Sequence, residues 1–163
     1  MSRRPTQAAL AATAHHEAGH VVAATAMGIR FKHVTTEATG DATGHVQYLR
    51  PMPHSIGQMH KRGMVALAGD AAQRRFNPRS VRQHHASADW QAVADYARAC
   101  SGSSAQADLL VRLWDVQARE FVQARWSSIE RVAGALLELQ TLDMRTVHHL
   151  FFQRSGGMGN SND

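Results

Sequence analysis

The sequence predicts a mainly α fold with one small β-hairpin, on three observations. Ala, Leu, Gln and Arg dominate while Val, Ile, Tyr and Phe are sparse, which favours helices because straight side chains lose little rotamer freedom there. Apolar residues recur at steps of three and four along several stretches, the spacing of one helix face. Two short strand-like runs flank a single turn-rich segment between residues 31 and 49. At 163 residues and 44% hydrophobic, the chain suits one domain with a real core, expected over 1–153, with a Gly, Ser and Asn-rich tail at 154–163 expected to be disordered.

The first helix is expected from about Thr6 to Met27. Thr6 can cap it, Ala14, Ala18, Val21 and Thr25 fall on one stripe, and Gly28 suits its C-terminal turn. Strands follow at Phe31 to Thr36 and Gly44 to Leu49, stopped by Pro51 and Pro53. A second helix runs from Ser55 to Phe76, with Ile56, Met59, Val65, Leu67, Ala68 and Ala71 as its apolar positions, and Asn77-Pro78 ends it. After a polar loop, Arg79 to Ser87, helices are expected at Asp89 to Ala99, Ala105 to Arg125 and Ser127 to Leu139, and a last short one at Met144 to Phe152. Ile129, Val132, Leu136 and Leu139 have core spacing, and Trp90, Trp114 and Trp126 read as core or subunit-contact residues. His148-His149 read as solvent-facing.

Cys100 is the single cysteine, so neither an internal disulfide nor a thiolate zinc site is available, and a cytoplasmic setting fits best. No apolar run approaches the ~20 residues that cross a bilayer. Arg3-Arg4 before an Ala-rich run imitates an export signal, but a cut after Ala14 would strip the first turns of the first helix. The net charge of +5 and pI near 10.3 raise nucleic acid as a partner. No known nucleic-acid motif accompanies Arg74, Arg75, Arg79 and Arg82, so these read as a solvated surface.

His16-Glu17-Ala18-Gly19-His20 is an H-E-x-x-H motif, on a stretch read as helical on other grounds. Random placement produces such a motif in roughly 2% of chains of this composition, so the helical context adds weight. Four residues advance a helix by roughly 6 Å and about 40°, so His16 and His20 project from one face and can share a zinc ion. Glu17 lies beside them, suited to take a proton from a water that zinc has acidified for attack on a carbonyl.

A catalytic zinc needs a third protein ligand. Ala23 and Ala26 stand where the extended H-E-x-x-H-x-x-G-x-x-H form has Gly and His, which excludes that class. Glu37 with Asp41, Asp70, and Asp89 remain, and spacing leaves the choice open.

The stretch His16 to Ala23 resembles the signature of the FtsH-type zinc peptidases, the proteolytic half of membrane-bound ATP-dependent proteases. Ala66-Leu67-Ala68-Gly69-Asp70-Ala71-Ala72, Ala86-Ser87-Ala88-Asp89 and Ala133 to Leu142 are similar, in the same order, to further segments of that family. The resemblance implies a zincin-like helical peptidase domain with the hairpin beside its metal-binding helix. It also implies Zn2+ as cofactor, Asp89 as third ligand beside His16 and His20, and Glu17 as catalytic base. The expected activity is endopeptidase cleavage of unfolded or flexible polypeptides, with ring-type self-association or a separate ATPase as the partners to expect, because the chain contains no phosphate-binding loop. Gln73 and Arg74 replace two glutamates usual in the family, which weakens carboxylate support around the metal.

The hairpin edge could align a peptide as an added strand. Tyr48, Arg82, His84 and His85 are candidate donors to transition-state charge, none of them singled out. His15-x-Glu17 imitates half of a nucleobase deaminase signature, but the required P-C-x-x-C is missing. A non-catalytic metal-binding regulatory module is the alternative reading.

Overall fold

The computed structural model describes residues 6–37, 44–49, 55–80 and 88–153. Among these, six helices pack with a small antiparallel sheet: α1 (Gln7–Ala26), β1 (Phe31–Thr35), β2 (His45–Tyr48), α2 (Ile56–Phe76), α3 (Ala88–Ala99), α4 (Ser104–Ala124), α5 (Trp126–Leu139), β3 (Thr141–Asp143) and α6 (Met144–Phe152), with a 3-10 turn at Pro78–Ser80. The mainly α expectation agrees with this architecture. The tail at 154–163 lies outside the described residues.

Helix α1 is the centre of the molecule. Thr6 caps it by accepting from the Ala9 amide at 3.2 Å. At its end Gly28 adopts φ 69°, and the Gly28 and Ile29 amides donate back to the Thr25 and Ala24 carbonyls, closing the last turn. The sequence pattern predicts one apolar stripe, but from Ala14 to Ala24 nearly every residue is buried, because α2, α5, α6 and the sheet pack around it. That explains the small side chains: Gly19 lies so close to the Ala68 carbonyl of α2 that a Cβ there would clash with it.

Ser55 caps α2 by accepting from the Gln58 amide. Its buried residues begin at Gly63, and Ile56, expected among its apolar positions, is exposed. Trp114 of α4 packs against Gly63 and donates from Nε1 to His60 Nδ1 at 3.0 Å. It is 1% exposed, so truncating it would cost about 3–5 kcal/mol. Trp90 and Trp126 are partly buried against the core. On α5, Ile129, Val132 and Leu136 enter the core as their spacing predicts, while Leu139 is exposed at the helix end.

The hairpin is part of a larger sheet, with strand order β2-β1-β3. Val34 pairs with Val46 on one side and Leu142 on the other, and Val34 and Leu142 are buried. Helix α5 stops at Leu139, where the sequence pattern ends it; Gln140 turns the chain at φ 62°, and Thr141–Asp143, a strand that the sequence pattern does not predict, pairs with β1. Three residues are too few to show alternation. No helix among the described residues is long and apolar enough to cross a membrane.

Candidate metal centre

His16 and His20 stand one turn apart on the α2-facing side of α1, and Asp89 opens α3. His16 Nε2 lies 3.0 Å from His20 Nε2, and Asp89 Oδ2 lies 3.3 Å from each. A tetrahedral zinc with bonds of about 2.0–2.1 Å requires donor atoms roughly 3.3–3.4 Å apart. The triangle therefore has the size of one face of such a site, and two imidazole nitrogens with one carboxylate oxygen are donors that zinc accepts.

The surroundings fix the donors. His20 Nδ1 is 2.9 Å from the Val65 carbonyl; a carbonyl only accepts, so Nδ1 carries a proton and Nε2 is the atom that would turn its lone pair to a metal ion. Gly69 lets the ring lie there, since a Cβ at that position would collide with the imidazole. His16 Nδ1 is buried with no hydrogen-bond partner among the described residues. Burial pushes His20 toward neutrality, but the facing Asp89 carboxylate and Glu17 outweigh it and raise its pKa to about 9. Burial also acts on Asp89 in the upward direction, and the two imidazoles overcome it, holding its carboxyl well below the usual range.

Glu17 is buried on α1, with Gly44 at the head of β2 packed against its carboxylate. Burial raises its pKa, offset in part by His20 and His16. A carboxylate held closer to neutrality is a better proton acceptor at working pH.

A cavity of about 560 Å³ opens next to Asp89. It is walled by β2 from His45 to Tyr48, by Arg62, Val65 and Ala66 of α2, and by Ala92 and Tyr96 of α3. The Arg62 guanidinium stacks 4.4 Å over the Tyr48 ring. Burial, reinforced by Asp89, pushes the Tyr48 phenol above its ordinary pKa, so Tyr48 is a neutral donor on the cavity wall.

The rival ligands fall elsewhere. Asp70 is buried but accepts from Arg74 at 2.9 and 2.8 Å on its own helix, and Glu37 is exposed. Asp41, Arg82, His84 and His85 lie outside the described residues. Gln73 donates to Ser80 in the 3-10 turn, so neither it nor Arg74 supports the cluster. Arg75 stacks on Trp126. His15 is buried against Phe76, ring centroids 3.8 Å apart, and hydrogen-bonds to the Ala11 carbonyl; its role is packing. His148 and His149 are exposed.

Sequence reasoning missed the Val65 carbonyl, Gly69 as the seat of His20, and the cavity residues Arg62 and Tyr96. A backbone carbonyl leaves no mark in a sequence, and for Gly69 the only signal was its place among small residues.

Fold and cluster together define a mainly helical domain with a His, His, Asp group able to hold a metal ion. No protein-family model and no curated protein sequence matches the chain.

Proposed function

We propose that this protein is a zinc-dependent endopeptidase of the FtsH type, acting on unfolded or flexible polypeptides. One observation carries the reading: His16 Nε2, His20 Nε2 and Asp89 Oδ2 converge at 3.0–3.3 Å beside the buried Glu17. Zinc held by those three would polarise the scissile carbonyl and acidify the attacking water. The chain's own residues do the rest. Val65 and Gly69 hold the His20 ring, and Glu17 takes the proton from the water and passes it to the leaving amine. Strand β2 is a sheet edge that also walls the cavity, so an extended peptide adding to it would lie across the site with affinity from backbone hydrogen bonds. Tyr48, neutral and on that wall, is a suitable donor to the developing oxyanion.

A structural zinc is closed by four protein ligands, whereas a catalytic one keeps a position open. Among the described residues three donors converge, the number of protein ligands that a catalytic zinc site uses. Unfolded or flexible chains are the fitting substrate because a strand added at the β2 edge must be extended.

The test is cleavage of fluorescent casein by the zinc-loaded protein beside Glu17→Gln, with metal content measured for both. Cleavage by the first, lost at least ~100-fold in the second at equal zinc, is the expected result. No cleavage by either at full zinc occupancy would overturn the stand-alone peptidase reading and favour a metal-binding regulatory module.

A further inference from the structure

We infer that the outer face of α4 is a self-recognition surface, on which two copies of this chain pair their α4 helices antiparallel about a two-fold axis near Leu113. Ala107, Trp114, Ala118 and Val122 bury one side of this 21-residue helix, and the neighbours on that side are α2 and α3. On the opposite side Leu109, Leu113 and Val116 are 64%, 48% and 43% exposed. Their steps of four and three are those of a helix packing seam. A row of large apolar side chains at seam spacing, on a helix about 31 Å long, differs from the scattered exposed leucines common on monomers.

The charges beside the row identify the occupant. Along one flank run Asp108, Arg112, Asp115 and Arg119, acid and base alternating in steps of four, three and four. A two-fold axis between antiparallel helices brings the same flank of both copies together, and each contact occurs twice. Reversal turns acid-base-acid-base into base-acid-base-acid. With the axis near Leu113, Asp108 meets Arg119 of the second copy and Arg112 meets Asp115, while Leu109 lies against Val116 and Leu113 against its own counterpart. In a parallel pair this flank would instead face the opposite flank of the second copy, where Leu110 and Gln117 stand, so only the antiparallel pair lets these charges meet one another. Asp115 and Arg119 now form a 3.0 Å pair within the helix, with side chains 40% and 60% exposed. Such an exposed pair holds its members weakly, so sharing them across the axis costs little.

The experiment is analytical ultracentrifugation of the full chain from about 1 to about 200 µM, with circular dichroism to check that each variant folds. The expected result is a reversible dimer. Leu113→Asp, at a half-exposed position, should raise its dissociation constant at least about tenfold. Arg112→Asp and Asp115→Arg should each weaken it severalfold, and the double exchange Arg112→Asp/Asp115→Arg should restore it. A monomer throughout the range, or association that Leu113→Asp leaves unchanged, overturns the surface. A dimer sensitive to Leu113→Asp but indifferent to both charge reversals overturns the antiparallel register. Each of these outcomes is independent of whether the protein cleaves peptides.

Discussion

Glu17 and Asp70 are carboxylates on facing helices, 5% and 8% exposed, yet the chain treats them differently. Asp70 is matched one turn along its own helix by Arg74, which contacts it through both Nε and Nη2. Glu17 has histidines and another carboxylate as its charged company, and burial raises its pKa. A buried acid paired with arginine is a structural solution; one left costly beside a cluster of donors has the surroundings that the proposed general base requires. The difference follows from neighbours rather than from residue type.

Exchanging the charge at each position should therefore give opposite results. Glu17→Gln should abolish casein cleavage by about 100-fold or more while leaving metal-free stability equal or higher. A raised carboxylate pKa means that the folded state holds its proton longer than the unfolded state, so ionisation destabilises the fold as pH rises above 4.5. Denaturant unfolding at neutral pH checks this, and a clear loss of stability would break the comparison. Asp89→Asn should lower zinc affinity by more than about 100-fold, read by competition with a chromogenic chelator. Gly69→Ala should push the His20 ring and cost about 10- to 100-fold in zinc affinity, with about 1–3 kcal/mol of stability lost to overpacking.

Asp70→Asn should leave zinc binding and cleavage unchanged and lower stability by about 1–2 kcal/mol; a change in metal affinity would show that the two carboxylates are not separable. Asp143 supplies an exposed control. It caps α6 by accepting from the Thr146 amide, and hydrogen bonds from the Thr146 side chain and amide lower its pKa. Its contribution is present above the unfolded value of 3.8 and lost as pH falls through the lower folded value. Asp143→Ala should be slightly less stable at neutral pH and converge with the parent in thermal melts as pH falls below 3.8.

Much of the helical framework was legible because helix ends carry local chemistry: Thr6 and Ser55 cap the helices that the sequence assigns to them, and Met144–Phe152 agrees to the residue. Strand β3 was not legible, since its pairing with β1 depends on a segment more than a hundred positions away. In the cluster, the helical repeat put His16 and His20 on one face. Asp89, 73 positions from His16, could be reached only through the family resemblance, because spacing cannot report which loop returns to a helix. Val65 acts through its carbonyl, and every residue type has one.

The three donors are unequally rooted. His16 and His20 belong to a helix enclosed nearly all round, while Asp89 begins a helix that buries only Val93 and Ala97. An ion shared among them would act as a clasp between the interior and an outlying element, adding to α3 a tether that its own apolar contacts do not provide. Its removal by a chelator would then show first as faster amide exchange in α3, with α1 still closed.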